Sequence, residues 1–382
     1  KSAMGPCRWQ VLLLVVALKV HASGSLGVTR QRALIHSPVF MDLRLKGNCR
    51  PISSTATFNP LRNMRRKNIQ LKLRPSATKH WDIEAFSPSK INLFLRIIGK
   101  RPDGFHDLGS LFQAISLGDD LKISKLAENV PDEFSCNMPG VPTDDSNLVI
   151  RAANLFRERT GVKHGLRICL NKTVPAQGGL GGGSANAATT LWALNKLFDY
   201  PVTQADLIDW SGELGSDITF FLSSGTAFCT GRGEILESVP RLPQRSVYVI
   251  KPEKGLSTPS VFKSLNYDEL SQHDPREILR NFYRDHDIDG QEKYINDLEP
   301  PAFRLMPELR QIKDVLKEHD FEAVLMSGSG TSIFAIGEPK AEDAFLRSMD
   351  RLKSEWGAQV FKAKFLNRGE GKEDWYEPIF CD

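Results

Sequence analysis

Acidic side chains are almost absent from the first 81 residues, where Asp42 stands alone against 15 lysines and arginines. The rest of the chain holds 35 basic and 45 acidic residues, so the overall charge of +4 belongs to the N-terminal stretch. A nucleic-acid-binding domain keeps its positive charge on the folded body, and that class is excluded. Long apolar runs are also missing. Val11–Leu18 is eight apolar residues between Arg8 and Lys19, far short of the ~20 a membrane span needs, and nothing after residue 81 approaches that length. Cysteine is scarce, with six in 382 residues. They form no CxxC and no Cys/His spacing for zinc. Cys136, Cys169, Cys229 and Cys381 are expected to be reduced and buried, as in a stroma- or cytosol-like compartment. No internal repeat occurs. A hydrophobic content of 41% with 25% charged residues excludes collagen-like and disordered chains.

The basic, acid-poor start reads as an address. Its short apolar run followed by Ala22, Ser23 and Gly24 matches the core of a secretory signal, and the Arg- and Ser-containing stretch behind it has a transit-peptide composition. Residues 1–81 are therefore expected to be a two-part leader into a plastid. Beyond it, strand and helix signals alternate. Pro88 opens a strand over 90–98, with Ile91, Leu93, Leu95 and Ile97 on one face and Lys90, Asn92, Phe94 and Arg96 on the other. Arg101-Pro102-Asp103-Gly104 is a turn. Helices are expected at 148–159, 184–198 and 204–214, the last ending at Gly215. Strands are expected at 167–170, 321–326 and 332–336. Pro240–Pro243 is the expected joint between a domain at 82–245 and another at 246–382. The class is α+β in two layers.

Gly178-Gly179-Leu180-Gly181-Gly182-Gly183-Ser184 leads straight into apolar Leu191, Leu194 and Leu197 at helical spacing. Five glycines in six positions allow close backbone approach to a ligand. A helix N-terminus behind them presents free N–H groups and a positive dipole end, which suits polyphosphate. Ser184 is placed to cap that helix or to reach a phosphate or a metal. No GxxxxGK[ST] occurs, so this is not a P-loop. Asp199 lies about 20 residues on but follows a helix rather than a second strand, which leaves an NAD-binding oxidoreductase as a remote alternative. On residue type alone, Asp217 reads as a solvated turn residue and Lys90 as a surface lysine.

Three segments, Ser87 to Leu93, Val174 to Ala188, and Met326 to Gly330, resemble the three motifs of the GHMP kinases in order and spacing. Gly99 to His106, Leu214 to Asp217, Gly231 to Glu234 and Asn296 to Pro300 resemble, within that family, the kinases of cytidine diphosphate-linked methylerythritol on the methylerythritol phosphate route to isoprenoids. Trp375-Tyr376 resembles the plastid forms. The resemblance implies a ribosomal-protein-S5-like N-terminal α/β domain and a ferredoxin-like C-terminal α+β domain. It implies ATP as phosphoryl donor, with Mg²⁺, and phosphorylation of the substrate's 2-hydroxyl. The catalytic pair falls on Lys90 and Asp217, with Asp217 the general base. ATP falls on Pro175, Gly178, Gly179, Leu180, Gly181, Gly182, Gly183 and Ser184, with Asn147 and Lys172 beside the adenine. Ser184 is the Mg²⁺ contact. The substrate falls on Asn92, Phe105, His106, Phe262 and Lys263, the two phenylalanines stacking on cytosine. Two positions depart from the family: Ala185 replaces the second of a serine pair, and Phe105 replaces a tyrosine. A homoserine- or mevalonate-type kinase is the alternative within the fold, and a non-catalytic nucleotide sensor is disfavoured by the retention of Lys90 and Asp217.

Overall fold

The computed structural model describes residues 80–284, 290–372 and 375–376. The leader expectation, apart from residues 80 and 81, and Cys381 lie outside the described residues.

The described residues open with a long hairpin, β1 (Ile83–Lys100) and β2 (His106–Glu128). Its turn is the expected one. Gly104 at φ 86° donates its N–H to the Arg101 carbonyl at 3.1 Å, and the Asp103 carboxylate accepts from the Phe105 N–H at 3.0 Å. β1 is twice the expected length and runs through Pro88, where the register with β2 shifts. A proline lacks the ladder N–H and is tolerated at such an irregularity. A second shift falls between Asn92 and Phe94, making Leu93 the extra residue of a bulge. The expected alternation therefore breaks there: Phe94 joins Ile91 and Leu93 in one buried cluster instead of lying beside Lys90.

β1 lies along one edge of β2. The other edge is shared between β4 (His164–Asn171), which pairs with Asp120–Glu128, and β5 (Thr226–Thr230), which pairs with Ser110–Gln113. The strands β3 (Glu133–Cys136) and β6 (Ile235–Ser238) extend the sheet to six. Three helices, α1 (Leu148–Thr160), α2 (Gly182–Leu197) and α3 (Gln204–Leu214), cover one face. α2 buries Ala185, Ala187, Ala188, Leu191 and Leu194 against Phe112, Leu121 and Ile123 of the sheet. Small alanines let it approach the strands closely. α1 ends at Gly161 in the left-handed conformation, and α3 starts with a capping box between Thr203 and Asp206.

Residues 239–245 then carry the chain to a four-stranded antiparallel sheet in the order β10-β7-β9-β8. Its strands are β7 (Ser246–Lys251), β8 (Ala323–Met326), β9 (Ile333–Ile336) and β10 (Gln359–Lys364). The helices of this half are α4 (Thr258–Lys263), α5 (Pro275–Arg284), α6 (Glu299–Leu305), α7 (Glu308–Lys317) and α8 (Glu342–Trp356). A continuous core joins the two sheets, with Ile91, Leu93, Phe94 and Leu111 packed with Val247, Val249, Leu325 and Phe334. After β10 the chain returns to the first half. There Trp375 and Tyr376 are buried, Tyr376 stacks on Trp192 of α2 at 4.8 Å, and its hydroxyl meets that of Thr189.

Cys136, Cys169 and Cys229 are unpaired as expected, but only Cys229 is buried; the other two are partly exposed on adjacent strands. No helix among the described residues is long and apolar enough to cross a membrane.

Candidate active site

Lys90 is a buried residue in the middle of β1, not a surface lysine at a strand end. Its ammonium donates to Asn92 Oδ1 at 2.7 Å, lies 3.5 Å from Asp217 Oδ2, and sits 4.3 Å from the centre of the Phe112 ring. Burying a cation is costly unless it is paired and hydrogen-bonded, and these three partners meet that need. Asn92 is fixed in turn: its Nδ2 donates to Ser110 Oγ at 2.9 Å, and that hydroxyl donates to the Phe94 carbonyl at 2.5 Å. Asp217 lies in the turn after α3, with a third of its side chain exposed. Next to the pair, burial first and the Asp217 charge second push the Cys229 thiol far up, so it is not a nucleophile here.

The glycine segment passes directly over Lys90, whose N–H donates to the Leu180 carbonyl at 2.9 Å. A Cβ at Gly181 would lie 3.1 Å from Lys90 Cγ. A cavity of about 390 Å³ opens on the far side, lined by Pro175, the glycines 178–183, Leu180, Ser184, Asn147 and Lys172. Every residue expected at the nucleotide is thus gathered at one place. Two details differ from the sequence reading, and the reading of Asn147 as a helix cap holds beside its place at the cavity. α2 starts two residues early, at Gly182, and Gly181 occupies the cap position, so Ser184 is not the cap. Asn147 does cap α1, accepting from the Val149 N–H at 2.9 Å, and lines the cavity as well. Lys172 does not reach freely into the space: its ammonium donates to Asp119 Oδ2 at 2.5 Å and to Asn186 Oδ1 at 3.0 Å. Ala185, where the family carries a second serine, is fully buried.

A second cavity, about 660 Å³, lies on the Asp217 side. Phe105, His106, Phe262 and Lys263 line it together with Asp217. His106 packs against Phe262 with ring centres 5.0 Å apart, and its Nε2 is 2.7 Å from the Tyr267 hydroxyl. Burial, and then the charge of Lys100, lower the His106 pKa. Phe105 is half exposed at the rim. Phe262 and Lys263 end α4, whose start Ser257 caps.

Sequence reasoning missed Tyr267, whose only signal is an aromatic residue soon after α4. It missed Asp119 too, a fully buried carboxylate that accepts from Lys172 and from the backbone N–H groups of Thr173 and Val174. Its only signal is a pair of adjacent acids, Asp119-Asp120, which lie within β2.

The GHMP kinases N terminal domain family matches residues 147–225, and the GHMP kinases C terminal family matches 267–353. The 4-diphosphocytidyl-2-C-methyl-D-erythritol kinase of Protochlamydia amoebophila is 44% identical over 299 residues, 78% of this chain and 94% of that protein. The chloroplastic enzyme of that name from Oryza sativa subsp. japonica is 46% identical over 303 residues, 78% of this chain and 74% of that protein. A crystal structure of 4-(cytidine 5'-diphospho)-2C-methyl-D-erythritol kinase superposes with a TM-score of 0.62 at 33% identity, covering 74% of this chain and all of that one. Identity at this level over 78% of this chain means that it belongs to the 4-diphosphocytidyl-2-C-methyl-D-erythritol kinase family of GHMP kinases.

Proposed function

We propose that Lys90 and Asp217 carry out the family's reaction, the ATP-dependent phosphorylation of 4-diphosphocytidyl-2-C-methyl-D-erythritol at its 2-hydroxyl, in the methylerythritol phosphate route to isoprenoids. The observation that supports these roles is the 3.5 Å pair between the two cavities. Lys90 touches the glycine segment on one side, and Asp217 lines the second cavity on the other. Phosphoryl transfer asks the protein for alignment, charge neutralisation and a group to take one proton. Asp217 takes the proton of the 2-hydroxyl as its oxygen bonds to the γ-phosphorus. The bond to the β-phosphate oxygen breaks, and ADP leaves. Lys90 pairs with Asp217 at 3.5 Å and stabilises the charge spreading over the transferred oxygens. The glycine N–H groups and the N-terminus of α2 hold the polyphosphate, with Asn147 and Lys172 towards the adenine. Phe105, His106, Phe262 and Lys263 hold the cytidylyl substrate, whereas Asn92, buried outside that cavity with both amide ends bonded, positions Lys90.

ATP chemistry implies Mg²⁺. Among the described residues no group of three or more His, Cys, Asp or Glu is arranged for a metal. That donor set fits an ion arriving on the nucleotide, since Mg²⁺ keeps several waters and takes few protein ligands beside phosphates. Ser184, in the first turn of α2 and lining the nucleotide cavity, is the proposed contact. The ion would neutralise charge on the phosphates.

The domain joint is proposed at 245/246, where the chain passes between sheets. Residues 1–81 are proposed as a two-part leader to the plastid, supported by their composition and by relatives described as chloroplastic. The mature N-terminus, read by mass spectrometry, is expected between about residues 60 and 85; a mature protein retaining Arg44 would overturn that proposal. The reaction itself is tested by ATP consumption with the diphosphocytidyl substrate, homoserine or mevalonate. Turnover only with the first is expected, and turnover with either of the others would reassign the enzyme within its fold.

A further inference from the structure

Arg232, one of three cations lining the second cavity, has no part in the assignments above. Arg232 stands between Gly231 at φ 68° and Gly233 at φ 111°, in the turn that joins β5 to β6. The Leu108 N–H donates to the Gly231 carbonyl at 2.7 Å, and the Arg232 N–H donates to Glu234 Oε2 at 2.6 Å. The backbone of this turn lies against the catalytic carboxylate, since a Cβ on Gly233 would sit 3.5 Å from Asp217 Oδ1. The Arg232 guanidinium itself lies 4.9 Å from the centre of the Phe105 ring. Arg232 therefore spans the interval between the aromatic end of the cavity and Asp217.

A cytidine diphosphate-linked alcohol has the same order of parts. If the base lies at Phe105 and the reacting hydroxyl at Asp217, the diphosphate crosses the interval Arg232 spans. The charge of the lining agrees. Lys100, Arg232 and Lys263 face the cavity, and Asp217 is the one acid among its lining residues. The Arg232 guanidinium is 3.6 Å from Glu234 Oε1 and about two-fifths exposed, so it is aligned by its own turn yet open to an incoming anion. A planar fork matches two phosphate oxygens, which a lysine ammonium does not.

We propose that Arg232 binds the substrate's diphosphate and sets the preference for a diphosphocytidyl alcohol over a smaller one; this rests on the substrate reading above. The test compares cytidine with CDP as probes, by calorimetry on the purified protein, beside steady-state kinetics. In Arg232→Ala, CDP affinity is expected to fall roughly 10- to 150-fold, the worth of a hydrogen bond to a charged group, while cytidine affinity changes less than about twofold. KM for the diphosphocytidyl substrate should rise with it, and KM for ATP should hold. Arg232→Lys should recover part of the CDP affinity, which guards against a mere folding defect. Equal losses for CDP and cytidine would mean that Arg232 acts through the Phe105 ring. Unchanged CDP binding would make it only a partner of Glu234. Either result overturns the proposal. A wild-type protein that binds neither probe would instead refute the cytidylyl site itself, and Arg232's role with it.

Discussion

Asp217 and Lys90 are coupled through 3.5 Å of partly excluded space, so their substitutions should not behave independently. Asp217→Asn keeps the shape and removes the base, because an amide oxygen is far too weak to accept the hydroxyl proton. The expected loss is roughly 10²–10⁴ in kcat, with both KM values nearly unchanged. Lys90→Ala should also lose activity, and the double variant should lose less than the product of the two. An Asn variant with unchanged melting and more than about a tenth of wild-type kcat would reduce Asp217 to positioning. His106 belongs to the same scale. Burial and Lys100 hold its pKa below the usual 6.5, so the ring stays neutral at lower pH than a free histidine. KM for the diphosphocytidyl substrate should therefore be flat from alkaline pH down to that value and rise only below it. His106→Ala should raise KM at all pH values and abolish the acid-side rise. A rise that survives in the variant would assign it to another group.

At the scale of elements, the glycine segment is held from behind as well as being open in front. Ser327 Oγ donates to the Gly179 carbonyl at 2.9 Å, and the Ser332 N–H donates to the Gly178 carbonyl at 3.2 Å. Two glycines in this run should respond oppositely to alanine. At Gly179, with φ 71°, a Cβ would meet the Ser327 carbonyl at 2.1 Å, and either the loop or the strand turn must move. Gly183 is exposed within the first turn of α2, where the nearest atom to a Cβ would be Leu148 Cδ1 at 3.6 Å. Gly179→Ala should lower the melting temperature and weaken ATP. Gly183→Ala should keep or raise the melting temperature, since alanine favours helix by up to ~1 kcal/mol, and raise only KM for ATP. Equal melting temperatures in the two variants would contradict this packing. The glycine segment and the three helices around it were legible in sequence because capping and glycine chemistry are local. The second strand of the hairpin and the first seven residues of β1 were not. Ser87-Pro88-Ser89 and Asp119-Asp120 carry turn chemistry, yet they sit in strands because Pro88 falls at a register shift and Asp119 is satisfied by Lys172, Asn186 and two backbone N–H groups. Those partners are 53 to 67 residues away, beyond what local pattern records. The same reason hid the burial of Lys90.

Across the whole molecule, residues 295–297 tie β1 to the second half. The Leu95 N–H donates to the Ile295 carbonyl at 2.7 Å, and Asn296 Nδ2 donates to the carbonyls of Met326 and Gly328, each at 2.8 Å. Asp297 is the centre of this tie. Its carboxylate pairs with the buried Arg96, accepts from the Ile97 N–H at 2.7 Å, and accepts from the Ser271 N–H at 3.1 Å, at the segment that follows Tyr267. Asp297→Ala leaves Arg96 buried without its counter-charge and orphans two backbone donors. Breaking one side of such a pair costs about 3–5 kcal/mol, which should appear as a lower urea midpoint. Removing the stranded charge as well, in Arg96→Met/Asp297→Ala, takes away the most expensive part of that loss. Two unpaired N–H groups remain, at about 1–3 kcal/mol each. The double variant should therefore unfold at a urea concentration between those of the single variant and the wild type. A double variant no more stable than Asp297→Ala would show that the carboxylate acts through the backbone donors alone, and that Arg96 needs no partner where it lies.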